Sequence, residues 1–382
     1  MLNDKSEYSN GLREALSKKT SEPDIMKVFA VLAVMWHGIL GVMMKQNLQV
    51  GQQVESVIIL DFLKYSAPFF IFAICFDICK IRNVPYKTQL THKIKELLVP
   101  YFCWSTIYIL MNISDYKSIG NFVEGYLLGT NAPHTWYLVM MFQFHILVPV
   151  LWYLYAKLTS DKKKAYPVLI GGFIFYILFV FFYQNYIFNV TTNKALIYLD
   201  RSFIGFSIYA ILGTVASANY EKWNKFVSKT KLIAIPLLFI AFNIANNEIF
   251  SNGFSNIDLA NAIYLKPSIF IYNMFAIIIV YGIALALIKN SSRTLPFFRF
   301  LSQYAYRAYL ANFFVITILI KVMGVAGEIM PYNLRLILLW IMTAVFSFTI
   351  VYTIEFIFKY LPKIFKSKEK DIKDDEVLVS LR

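Results

Sequence analysis

Two of the four histidines in this chain of 382 residues fall inside apolar runs, where an ionisable side chain is costly to bury. His37 lies in DIMKVFAVLAVMWHG and His145 in HTWYLVMMFQFHILVPVL. A neutral imidazole offers one nitrogen that donates a proton and one that accepts it. That suits a buried histidine to general acid–base or nucleophilic chemistry. At 1.5 Å per helical residue, His37 stands about 18 Å beyond Ile25, and His145 about 14 Å beyond Trp136 on a span running the other way. The two are expected at one depth and lining one cavity; the bland alternative is a cross-helix hydrogen bond for each. His134 precedes the aromatic pair Trp136 and Tyr137 and reads as an interfacial residue at the mouth of that span. His92 sits in a basic segment and reads as solvated. Asp61 and Lys64, three apart, read as a neutralising pair on one helix face. Arg307 reads as snorkelling to the surface, and Asp200 with Arg201 as an interfacial pair within reach of a polar substrate. No Gly-rich phosphate loop, zinc motif or nucleophile elbow is present, so no metal is expected.

These side chains need elements to hold them, and composition restricts the choice. The chain is 58% hydrophobic and 16% charged, with a mean hydropathy of +0.56, which argues against a soluble enzyme and against a disordered chain. Ten apolar stretches approach or reach the length needed to cross a bilayer: 25–43, 56–78, 97–113, 136–156, 167–184, 202–218, 232–247, 267–288, 303–320 and 336–358. Backbone in lipid must satisfy its own hydrogen bonds, so each reads as a helix, the third and seventh being the shortest. The fold class expected is an all-α polytopic membrane bundle of about ten transmembrane helices. Alternate connecting segments, beginning with the N-terminus, carry 27 Lys and Arg against 7 in the others. By the positive-inside rule both termini are expected in the cytoplasm. Residues 1–24 form an N-terminal tail, 25–358 the membrane domain, and 359–382 a mixed-charge cytoplasmic tail. The net charge of +14 points to inward loops and anionic lipid rather than to nucleic acid. Cys75, Cys79 and Cys103 read as small buried side chains.

Five segments, in order, resemble acyltransferase family 3, integral membrane proteins that modify bacterial surface glycans. DIMKVFAVLAVMWHG is similar to that family's first helix, with an acidic residue, a basic one, an apolar run and a histidine. APFFIF resembles its Pro-Phe-Phe motif, KIKELLVPYFCWSTIYIL its third helix, HTWYLVMMFQFHILVPVL its fourth, and LSQYAYRAYLANFF its late Tyr-Leu segment. In the family ten residues usually separate the basic residue from the histidine, and a histidine usually stands where this chain has Asn312. Here nine residues separate Lys27 from His37, which on an ideal helix turns them about 280° apart, so that they need not share a face unless the helix bulges.

The resemblance implies an O-acyltransferase that takes acetyl from cytoplasmic acetyl-CoA. The acceptor would be a hydroxyl of a cell-envelope polysaccharide or its lipid-linked precursor. In that reading His37 is catalytic, by general base or by a covalent acyl-imidazole. Lys27, Lys93 and Lys95 hold the donor's phosphates. Trp136 and Tyr137 stack on a sugar, and His134, His145 and Arg201 complete the acceptor side. The expected setting is a bacterial plasma membrane, with membrane lipid, the glycan and glycan-synthesis machinery as partners. The alternative is a polysaccharide exporter or flippase without acyl-transfer chemistry, as some relatives are described.

Overall fold

The computed structural model describes residues 21–46, 48–80, 85–188, 190–191, 193–255, 257, 263–290 and 293–380. Side chains are described as far as residue 358, apart from those of 162, 194–195, 325–326 and 328. The N-terminal tail as far as residue 20, and the side chains of the C-terminal tail, lie outside this description.

Regular structure among the described residues is helical. Its principal helices are α1 (Glu22–Met43), α2 (Val50–Phe62), α3 (Ser66–Ile78), α4 (Tyr86–Lys93), α5 (Val99–Met111), α6 (Ile119–Leu128), α7 (Trp136–Ile146), α8 (Val148–Ser160), α9 (Ala165–Phe182), α10 (Ser207–Ala218), α11 (Tyr220–Ile249), α12 (Pro267–Asn290), α13 (Leu295–Ile329) and α14 (Tyr332–Ser380). Among the described residues, eight helical stretches are long and apolar enough to cross a membrane. The bent pair α7–α8 makes a ninth, and the shorter stretch Phe203–Ala218 occupies the sixth apolar segment. Each of the ten sequence stretches thus falls on helix. The third and seventh are not short after all: they run over Tyr86–Met111 and Tyr220–Ile249, because their polar ends stay helical beyond the apolar run.

Local chemistry sets several boundaries. α1 starts where the Asp24 carboxylate accepts the Ser21 N–H at 2.9 Å, with Pro23 in the first turn. Pro149 has no N–H for the carbonyl of His145, and there the fourth span, expected to be continuous, bends by 57° between α7 and α8. Pro100 likewise leaves the carbonyl of Glu96 without its usual donor, and Ile94–Leu98 is wound as a π-helix joining α4 to α5.

α1 is the hub: it packs against α3, α12, α13 and α14. Its Ile25, Met26, Val28, Ala30 and Val31 are fully enclosed. α10 lies across α3 at Gly213, where a Cβ would come within 2.4 Å of the Phe72 carbonyl oxygen. Only the missing side chain lets the two backbones approach so closely. α9 sits at the periphery, with Ile170, Phe175, Leu178 and Phe181 pointing outward, as a lipid-facing helix requires. Cys75 and Cys79 are buried as expected; Cys103 is exposed on the outside of the bundle.

Candidate active site

Two cavities are stacked along α1. The first, of about 170 Å³, is lined by His37, Gly38, Lys64, Ser66, His134 and Tyr264, among others. The second, of about 220 Å³, lies toward the N-terminal end of α1 and is lined by Lys27, Asp77, Gln89, His92, Lys93, Glu96 and His145. Phe70, Tyr137 and Tyr309 line both. The expected partnership of His37 with His145 is therefore corrected. His37 shares its chamber with His134, and His145 belongs with the lysines.

The cause lies in the segment before α7. α6 ends at Gly129, whose φ of +61° is the left-handed conformation that glycine adopts without strain. The chain then folds inward. Thr135 Oγ1 donates toward the carbonyls of Gly129 and Ala132, at 2.9 and 2.8 Å, and accepts the Ala132 N–H at 3.1 Å. The Tyr309 hydroxyl donates to the carbonyl of His134. His134 is thereby carried off the interface and into the bundle, where only 8% of it is exposed. Its two ring nitrogens are buried. Burial holds its pKa down at about 4, so the ring is neutral near pH 7.

His37 is oriented by one hydrogen bond. Nε2 lies 3.0 Å from the carbonyl oxygen of Leu60, near the end of α2. A carbonyl can only accept, so Nε2 carries the proton and the neutral ring keeps its lone pair on Nδ1. Asn312, standing where the family usually has a histidine, is fully buried nearby. Its amide donates to the Tyr309 carbonyl at 2.6 Å, and its Oδ1 lies 3.5 Å from where a Cβ on Gly38 would be. Lys64, buried and ion-paired with Asp61, lines the same chamber. The pair read from sequence is thus present, but its place beside His37 was not legible. Lys266 is likewise buried and ion-paired, with Glu248 at 2.7 Å.

Lys27 and His37 both face the interior, although α1 is regular and does not bulge. Relative to Lys27, the helix turns Val34 to about −20°, His37 to about −80° and Gly38 to about +20°. All four lie within one stripe about 100° wide, which is what an inward helix face spans. The shorter spacing moves His37 to the edge of that stripe, not off it.

The cations of the second chamber already have partners. Lys27 Nζ is 2.5 Å from Asp77 and 3.8 Å from Asp24, which also accepts a hydrogen bond from Ser302 at 2.9 Å. Lys93 is 2.7 Å from Glu96, and His92 is 3.5 Å from the same carboxylate. An incoming polyanion must compete with Asp77 and Glu96 for these groups. Lys95 is exposed on the π-helical turn and lines neither chamber. The buried Gln89, both of whose amide atoms lack partners, is a polar wall that sequence reasoning missed.

A third cavity, of about 370 Å³, lies beyond the first and is lined by Lys45, Asn112, Asp115, Asn131, Trp136 and Arg201. Trp136 lines both, so the third cavity adjoins the His37 chamber. Arg201 donates to the Leu128 carbonyl at 2.6 Å, sits over the Tyr198 ring and pairs loosely with Asp200 at 3.8 Å. Arg307 pairs with Glu355 across α13 and α14 rather than reaching alone for the surface.

Eight of the nine candidate residues thus sort along one axis, exposed Lys95 being the exception. Lys27, Lys93 and His145 stand in one chamber, His37 and His134 in the next with Tyr137 between them, and Trp136 and Arg201 face the far cavity. No curated protein and no solved structure matches the chain. A protein-family model described as an acyltransferase domain matches residues 21–356, nearly the whole of it and all three cavities. A polytopic helical bundle covered over nearly its whole length by that match is a membrane acyltransferase, and the chain belongs to acyltransferase family 3.

Proposed function

We propose that this acyltransferase moves an acetyl group from acetyl-CoA to a hydroxyl of a cell-envelope polysaccharide or its lipid-linked precursor, in a bacterial plasma membrane. The observation that carries the reading is the stacking of the Lys27–Lys93 chamber directly against the His37 chamber. Donor and acceptor approach from opposite ends. The donor end is taken as cytoplasmic because the basic connecting segments favour that side.

The chemistry follows from the tautomer. His37 Nδ1 takes the proton of the acceptor hydroxyl, and the oxygen attacks the thioester carbonyl. The carbon–sulfur bond breaks, and CoA leaves as the thiol, taking up the proton that Nδ1 received. The Leu60 carbonyl holds the ring and stabilises the imidazolium formed in passing. In the covalent alternative, Nδ1 attacks the thioester carbonyl and CoA leaves as thiolate; the hydroxyl oxygen then takes the acetyl group from the acetyl-imidazolium, its proton passes to the thiolate, and the neutral ring is restored. Lys64 lines the same chamber and favours the negative charge that develops on the reacting carbonyl oxygen in either route. Lys27 and Lys93 hold donor phosphates by exchanging their carboxylate partners. Trp136 offers a flat face to a sugar, and Arg201, His134 and Tyr137 bound the acceptor's path.

The exporter alternative is not favoured. The matching family model is that of a transferase, and three aromatic rings stand across the line a glycan would follow. The test is direct. Purified protein in lipid nanodiscs, given labelled acetyl-CoA and envelope glycan, should form an ester on the glycan and release CoA thiol. Glycan movement across vesicles without any acyl donor would overturn the reading.

A further inference from the structure

We propose that the three rings shared by the two chambers form an acyl-length filter, which admits a two-carbon acyl group to His37 and turns away longer ones. The inference rests on the reading of the second chamber as the donor site and asks what that site does to the donor's leading end.

Phe70 on α3, Tyr137 on α7 and Tyr309 on α13 come from three different helices and meet as a triangle. Their centroids are 5.6 Å (Phe70–Tyr137), 5.7 Å (Tyr137–Tyr309) and 6.1 Å (Phe70–Tyr309) apart. All three are nearly enclosed, and each lines both cavities. They are held differently. Tyr309 is tied by its hydroxyl to the His134 carbonyl, and so to the inward fold of that loop. Tyr137 has a buried hydroxyl with no partner, at the boundary where a thioester carbonyl needs a donor. Phe70 carries no polar group and acts only through its shape.

A donor entering from the lysine chamber meets this partition acyl end first. The thioester must follow until its carbonyl reaches Nδ1 of His37, so the whole acyl chain has to pass the rings. It must then share about 170 Å³ with the acceptor hydroxyl. Close-packed aromatic walls on three helices yield little, and a chain that overfills them forces rings from their rotamers. One methylene in such an apolar pocket discriminates by roughly 10- to 200-fold. The hydroxyl of Tyr137 adds a donor aimed at the carbonyl, which the ring edge of Phe70 cannot supply.

The test measures kcat/KM for acetyl-, butyryl- and octanoyl-CoA with the full-length protein in nanodiscs, using thiol release in the presence of glycan. Wild type should prefer acetyl over butyryl by at least tenfold. Phe70→Ala should raise the butyryl-to-acetyl ratio at least tenfold, and Phe70→Leu, a milder change should the alanine variant not fold, at least threefold. Tyr137→Phe keeps the ring, so it should lower turnover with every donor and leave the length profile unchanged. A wild-type profile indifferent to length, or a profile that neither Phe70 variant moves, overturns the filter. If no acyl-CoA of any length is consumed, the donor-site reading itself falls, which is a separate result.

Discussion

Replacing His37 with glutamine removes a base while keeping a hydrogen bond. The side chain that now fills the site still has an amide N–H to donate to the Leu60 carbonyl, the bond that Nε2 makes at 3.0 Å. Such a bond contributes about 1 kcal/mol net, so the melting temperature should move by no more than a few degrees. The lone pair on Nδ1, by contrast, has no substitute in the chamber. His134 is also neutral, but its position is set by a different loop, and its nitrogens lie elsewhere along the wall. Loss of a general base costs about 10²- to 10⁴-fold in rate, or about 3–5 kcal/mol of barrier. His37→Gln should therefore lower kcat by that factor with KM for acetyl-CoA changed by less than about threefold, since the proposed site of the donor's phosphates is the other chamber. Radiolabelled acetyl-CoA with and without glycan is the assay. A folded His37→Gln protein that keeps more than a tenth of wild-type turnover would refute the assignment. The covalent route is read from the same samples. Label retained on protein when glycan is withheld, and absent from the variant, marks an acetyl-imidazole.

Three further outcomes are expected. Lys93→Ala should raise KM for acetyl-CoA, and Glu96→Gln, which frees Lys93 from its 2.7 Å partner, should lower it, each by roughly 3- to 10-fold because the pair is partly exposed; equal effects in the same direction would contradict the competition argument. Gly213→Ala should cost about 1–3 kcal/mol, since a Cβ 2.4 Å from the Phe72 carbonyl oxygen forces α10 off α3, and a melting temperature within a degree of wild type would contradict that packing. His134 should make the protein acid-sensitive. The unfolded ring takes a proton near pH 6.5 and the folded one only near 4, so the unfolded state binds more protons between those values. Its contribution of about 3 kcal/mol is then fully present above pH 6.5 and lost as pH falls toward 4. His134→Gln should flatten melting temperature against pH over that window, and an unchanged slope would show that the ring is not buried neutral.

How much of this could be read in advance differs from residue to residue. The spans were legible because a crossing helix needs a long apolar run, and each of the ten runs lies on helix. Their ends were not, since the polar starts of α4 and α11 are helical for reasons that hydropathy does not register. The depth argument for His145 assumed a straight fourth span and a surface loop before it. Pro149 could have warned of the bend, but the inward fold at His134 is held partly by Tyr309, 175 residues away, and no local pattern encodes it. The helical-wheel argument separated Lys27 from His37 correctly in angle. It left open whether they share a face, and they do because α1 is surrounded and presents a broad inward one. Lys64 was read as a local pair because sequence shows its neighbour Asp61 and not the cavity. The triangle of Phe70, Tyr137 and Tyr309 is wholly tertiary, made from three helices whose mutual contacts only the fold specifies.

The central claim is that acetyl passes from a donor at the lysine-lined end to an acceptor at the other end, by way of His37. Sealed proteoliposomes of known orientation, with labelled acetyl-CoA confined to the face bearing the N-terminus of α1 and glycan confined to the opposite face, test it in one measurement. The account predicts ester label on the glycan, with CoA thiol released only on the donor side. Label that appears only when donor and glycan share a compartment would contradict it.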